Sequence, residues 1–233
     1  MHSAVRAGEQ LAELNPAFKQ TLAQYCCELA VRDIQASQIG AARRMLHRAL
    51  ELDAGCVRAS LMEGQLEFAE QRWDAALKAF RRIRRQDAVF MDSVLDEIEA
   101  CYVQLGRPLQ FSKYLARVLL ESPSPAIMIK LAEQLRQQMG DIAASRFLLD
   151  NLARSPKLEN LRKVFDLGFF AQNLNDPEHF NRLKEVVSRL GSSPQVYRCG
   201  QCGFEGQKLH WQCPSCHHWA VLKPYHHHDS LEH

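Results

Sequence analysis

The chain has 233 residues, 46% hydrophobic and 24% charged, with only 11 Gly and 9 Pro, which suits a soluble folded protein with one large core or two unequal domains. Its 29 basic and 27 acidic residues leave a formal charge of +2, a balance that gives no general pull towards nucleic acid or an anionic membrane. There is no signal peptide and no run of about 20 apolar residues. Four of the eight cysteines fall as two close pairs near the end of the chain, so a reducing compartment and a metal site suit them better than a disulfide scaffold.

In chain order, an amphipathic stretch at 5–14 comes first, without a preceding partner helix. The chain is therefore expected to be a fragment cut inside a longer repeat array. A fixed period follows: Ala42 and Ala76, Leu46 and Phe80, Asp53 and Asp87, and later Gly106 and Gly140 are each 34 residues apart. A 34-residue period made of two helices marks tetratricopeptide repeats. The first clear unit covers about 23–56, where Ala42, Leu46 and Ala49 line one helical face. The second, about 57–90, repeats the pattern with Gly64, Ala76 and Phe80, and has Trp73 near the start of its second helix. Small residues let paired helices approach while the large ones fill the groove between them.

The third unit spans about 92–124, with Tyr102 and Gly106 closing its first helix and Leu115, Val118 and Pro123 in its second half. The fourth, about 126–157, turns at Gly140-Asp141 and stops at Pro156. A fifth, irregular helical pair is expected over 158–190, its second helix starting near Asp176-Pro177. Residues 1–190 thus read as an all-α repeat solenoid. Gly191-Ser192-Ser193-Pro194 breaks it, and 195–224 form a second, small domain. Residues 225–233 read as a tail, with Leu231-Glu232-His233 resembling the start of a cloning tag and His226, His227 and His228 as flexible chain.

The small domain pairs Cys199 with Cys202 and Cys213 with Cys216. Two intervening residues let a tight turn aim both sulfurs at one ion, and two such turns complete a tetrahedral four-thiolate site. Gly203 supplies positive φ after the first pair, Pro214 stiffens the second turn, and His217 stands where a glycine would be easier. Such a module has too little core to fold alone, so the ion is expected to be structural, and four thiolates leave no open position for hydrolysis. Zn²⁺ and iron (Fe²⁺ or Fe³⁺) both accept four sulfurs. With the thiolates counted, the module is near neutral, which argues against nucleic-acid binding.

Other residues read plainly. Arg81, Arg82, Arg84 and Arg85 end a helix and most are expected to face solvent. Cys26, Cys27, Cys56 and Cys101 are expected as small buried hydrophobes. His210, His217 and His218 flank the cysteines and are expected to make contacts around the site rather than ligate. No phosphate loop, nucleophile elbow or carboxylate pair is present, so no enzymatic activity is expected. The short linker, with Phe204, Trp211 and Trp219, predicts that the ribbon docks rigidly on the last helices, 158–190.

Repeats running directly into such an ending resemble the lipopolysaccharide assembly protein B family. The resemblance rests on Tyr25-Cys26-Cys27-Glu28-Leu29-Ala30, on Cys101-Tyr102-Val103-Gln104-Leu105-Gly106, and above all on the ending. That ending runs Tyr197-Arg198-Cys199, Cys202-Gly203-Phe204, Trp211-Gln212-Cys213-Pro214-Ser215-Cys216 and Trp219 through Lys223-Pro224. The resemblance implies an adaptor on the cytoplasmic face of the bacterial inner membrane, anchored by an amino-terminal helix that is expected to lie outside this sequence. It also implies three protein partners: the membrane AAA protease, the lipid A pathway deacetylase whose degradation the adaptor promotes, and an inner-membrane regulator. The alternative left open is a one-electron carrier, since rubredoxin-like knuckles with iron cycle by one electron.

Overall fold

A computed structural model describes residues 16–122, 124–154 and 196–225. The stretch 5–14, Pro123, Pro156, the pair expected over 158–190, the 191–194 linker and the tail beyond 225 lie outside the described residues.

Eight α-helices occur among the described residues. They are α1 (Pro16–Gln35), α2 (Ile39–Leu52), α3 (Val57–Ala69), α4 (Trp73–Gln86), α5 (Leu95–Gln104), α6 (Pro108–Glu121), α7 (Pro125–Met139) and α8 (Asp141–Arg154). Helices α1 and α2, α3 and α4, and α7 and α8 pack as hairpins, and the fold is the expected tetratricopeptide-type repeat. Helices α1–α5 and the carboxy-terminal ribbon form one compact unit, and α6–α8 belong to a second.

The 34-residue rhythm reappears in the backbone. Ser37 and Gln71, just past α1 and α3, both adopt φ 58°. At each, a pair of N–H bonds reaches back over the helix end: Ser37 to Ile34 and Gln38 to Asp33, then Gln71 to Phe68 and Arg72 to Glu67. This double closure satisfies the last carbonyls and requires a left-handed residue. Gly106 and Gly140 take the same place at φ 65° and 87°, where glycine does so without Cβ strain. Asp53 and Asp87 close the second helices alike, each accepting through Oδ1 from the N–H two residues on, Gly55 at 2.9 Å and Val89 at 3.2 Å.

The faces read from the sequence are core. Ala42, Leu46, Ala49, Ala76, Phe80 and Ile83 are all fully buried. A Cβ on Gly64 would lie 2.3 Å from the Phe80 ring, so α3 and α4 meet only because position 64 has no side chain. Burying a ring such as Phe80 stabilises by about 2–3 kcal/mol. Glu63, an unusual choice for this repeat, is held by Arg82. The third repeat starts differently from the expectation: a 3₁₀ stretch, Ala88–Val94, buries Phe90, Met91 and Val94 before α5 begins. Its extra residue is visible in the 35-residue step from Gln71 to Gly106. In the fourth repeat the Ser124 hydroxyl accepts from the Ile127 N–H at 3.1 Å and Pro125 fills the first helical position, so α7 starts where the backbone is already prepared.

Candidate metal centre

The ribbon carries three short antiparallel strands, β1 (Val196–Cys199), β2 (Glu205–Gly206) and β3 (Leu222–Tyr225), in the order β2-β1-β3. Cys199 ends β1 opposite Leu222, and an isolated Gln212–Trp219 bridge frames the second knuckle. The ribbon's own buried core is only Cys199, Cys213 and Leu222, with Tyr197, Phe204, Leu209 and Val221 packed around it.

The two knuckles are built alike. Cys199 N–H donates to the Phe204 carbonyl at 2.8 Å and Cys213 N–H to the His218 carbonyl at 2.9 Å. Gly203 and His217 each donate back to the first cysteine of their pair, to Cys199 and Cys213, at 3.0 Å. Both take positive φ, 75° for Gly203 and 59° for His217, so the strained conformation foreseen at His217 is present. The His217 and His210 side chains are exposed, and His218 touches the site's backbone through Nδ1, 3.0 Å from the Cys216 carbonyl.

The sulfurs of Cys199, Cys202, Cys213 and Cys216 all lie within 4.8 Å of one another. Two edges, Cys199–Cys216 and Cys202–Cys213, measure 3.7 Å. A tetrahedral ion with bonds of about 2.3 Å to sulfur has sulfur–sulfur edges of about 3.8 Å. A disulfide needs about 2.05 Å. The donor set and spacing therefore fit one four-thiolate ion.

Polar hydrogens converge on the sulfurs as such a site requires. Gln201 N–H lies 3.4 Å from Cys199 Sγ. The Phe204 N–H, helped by the neighbouring thiols and Ser215, holds Cys202 down at about 6 against desolvation. The His218 N–H is the largest single influence on Cys216 and acts downwards. Desolvation and the facing thiols of Cys202, Cys213 and Cys199 together outweigh it and push Cys216 up to about 12. Cys202 is the exposed corner of the cluster.

Outside the cysteines, the ribbon's tryptophans are its most consequential residues. Trp211 stacks on Phe90 with ring centres 5.7 Å apart, and Trp219 meets Tyr25 edge-on at 5.8 Å. The buried guanidinium of Arg58, paired with Glu28 at 2.7 Å, sits 6.0 Å from the Trp211 ring and 5.9 Å from Trp219. Lys223 reaches Asp87 at 2.8 Å. The seat on display is thus made by α1, α3 and the 3₁₀ stretch of the first repeats. The helices of 158–190, expected to form it, lie outside the described residues. The aromatic surplus in the ribbon signalled that docking occurs, and the partners Tyr25, Arg58 and Phe90 carried no sequence mark.

Comparison with known proteins agrees with this division. Residues 197–224 match the family described as Rubredoxin metal binding domain. Lipopolysaccharide assembly protein B of Escherichia coli (strain K12) is 27% identical over 223 residues, 95% of this chain and 57% of that protein. Its counterpart in Haemophilus influenzae is 26% identical over 223 residues, 95% of this chain and 56% of that protein. The chain therefore spans little more than half the length of these curated relatives. A solved structure of PilF from Pseudomonas aeruginosa is similar at a TM-score of 0.44 and 15% identity, covering 81% of this chain and 90% of that one. The four-cysteine ribbon is of the rubredoxin metal-binding type, and the chain carrying it is similar along nearly all of its length to lipopolysaccharide assembly protein B.

Proposed function

We propose that the chain is a non-enzymatic adaptor in lipopolysaccharide assembly. In this reading the repeats of 1–190 offer surfaces to proteins, and the ribbon of 195–224 stiffens the surface on which it rests. The observation that carries this reading is that the similarity to relatives named for lipopolysaccharide assembly runs through repeats and ribbon alike, over 95% of the chain. The partners are the membrane AAA protease, the lipid A pathway deacetylase that it degrades, and an inner-membrane regulator, met at the cytoplasmic face of the inner membrane. No helix among the described residues is long and apolar enough to cross a membrane.

Cys199, Cys202, Cys213 and Cys216 hold the ion in this scheme. When bound, it cross-links the two knuckles and lends its binding energy to folding. Gly203 and His217 shape the turns, and the N–H groups of Gln201, Phe204 and His218 neutralise thiolate charge. The test is the cellular half-life of the deacetylase with the full-length protein and with its Cys213→Ser variant, beside elemental analysis of the purified chain. Faster turnover that depends on Cys213, with one zinc per chain, supports the adaptor. Unchanged turnover refutes it, and a red protein that bleaches reversibly with dithionite would point to electron transfer instead.

A further inference from the structure

Among the described cysteines outside the ribbon, Cys27 on α1 and Cys56 at the amino end of α3 stand apart. Their sulfurs are 3.9 Å from each other, between residues 29 apart in sequence. Cys56 is the residue at which α3 starts, where unpaired N–H groups and the helix dipole favour a thiolate. Gln24 Nε2 donates to the Cys56 sulfur at 3.5 Å. The two thiols are inequivalent. The Cys27 thiol foremost, and then the Ala59 N–H, hold Cys56 below the ordinary thiol range against its burial, while Cys27 is pushed upwards by its bond to Cys56 and by burial.

Cys56 also borders a cavity of about 130 Å³ whose wall includes Gln24, Arg58, Gln86 and Trp211. Gln24 and Arg58 are 3% and 7% exposed, and Gln24 Oε1 and Arg58 Nη1 are buried atoms without a hydrogen-bond partner. Gln86 Oε1 is another such atom. The wall also carries the Asp87–Lys223 ion pair and Asp53, so beside the Cys56 sulfur the cavity suits a very small polar ligand that both donates and accepts hydrogen bonds. Hydrogen peroxide has those properties and that size.

We propose that Cys27 and Cys56 are a redox pair that a small hydroperoxide, admitted through this cavity, oxidises to a disulfide joining α1 to the start of α3. In the first step the Cys56 thiolate attacks one peroxide oxygen and the O–O bond breaks. The leaving hydroxide, with the proton Cys56 had given up, departs as water, and Cys56 becomes a sulfenic acid. In the second step the Cys27 sulfur attacks Cys56 Sγ, the S–O bond breaks, and hydroxide leaves with the Cys27 proton as a second water. Two thiols and one peroxide give one disulfide and two waters, the two thiols supplying both electrons. A dithiol reductant reverses the reaction. Gln24 holds the Cys56 sulfur through Nε2, and the Arg58 guanidinium on the same wall favours the leaving hydroxide. This role is independent of the adaptor reading.

The test uses the full, metal-loaded chain treated with hydrogen peroxide, then denatured, blocked with N-ethylmaleimide and digested with trypsin. The expected product joins peptides 20–32 and 49–58 through Cys27 and Cys56, about 2 Da below the summed mass of the two peptides with Cys26 blocked, and dithiothreitol removes it. It should form at peroxide levels that leave the ribbon's metal bound. In Cys27→Ser the cross-link is lost and Cys56 accumulates a sulfenic acid that dimedone traps; Gln24→Leu slows cross-linking at least tenfold. The proposal is overturned if both cysteines stay fully alkylable while ribbon cysteines oxidise. It is equally overturned if the cross-link runs through Cys26, or if Gln24→Leu leaves the rate unchanged.

Discussion

The first two hairpins and the ribbon hold their chains together by different means. The first hairpin and α3 bury a continuous set of apolar side chains running from Ala23 through Leu46 and Ala49 to Leu66. The ribbon buries three residues, two of them cysteines. One region is therefore closed by packing, and the other by chemistry at four sulfurs together with the seat that Tyr25, Arg58 and Phe90 provide. The contrast teaches where each should fail.

The largest effect belongs to Phe80→Asp. A carboxylate in that fully enclosed position, against Gly64, costs several kcal/mol, and circular dichroism should show loss of helix and a collapse in melting temperature. An unaltered melt would erase the contrast, because packing would then not be what holds the hairpins. Next comes Cys213→Ser, or removal of metal with a strong chelator. Hydrogen exchange across 196–225 should rise towards the unfolded rate, while α7 and α8 keep their protection. Protection that survives in the ribbon would mean that docking alone suffices.

Arg58→Ala separates the seat from the ion. It removes a buried cation from between two tryptophans and leaves Glu28 without its partner, a cost of about 2 kcal/mol in thermal or urea melts. Metal content should stay at the wild-type value while ribbon exchange quickens. Smallest of all, Ser37→Gly or Gln71→Gly should stabilise the hairpins by about 0.5 kcal/mol, since each relieves a left-handed residue that carries a Cβ. A lowered urea midpoint would show that those side chains contribute more than their backbone strain costs.

Much of the array was legible because it obeys a period. Ala42, Leu46, Ala76 and Phe80 announced their faces by spacing alone, and Gly106 and Gly140 announced their turns. Ser37 and Gln71 take positive φ without glycine, so composition gave no notice of them. The 3₁₀ entry at Ala88–Val94 was hidden for a related reason: one extra residue shifts the step to 35 and blurs the repeat. In the ribbon, the cysteine spacing foretold four sulfurs within reach of one ion. The residues on which the ribbon rests were not legible. Tyr25, Arg58 and Phe90 are ordinary members of their helices, and only the folded path brings them to Trp211 and Trp219.

That path has a consequence for synthesis. Roughly 150 residues separate Arg58 from Trp211, and a ribosome adding about 5–20 residues per second needs on the order of 8–30 s to cover them. For that interval the nascent first repeats display an uncovered tyrosine, a phenylalanine and a buried-type arginine with no ribbon to receive them. A chain stalled or cleaved before the ribbon emerges exposes the same sticky face indefinitely, which marks it for chaperones and proteases and makes the ribbon a seal on helices translated well before it.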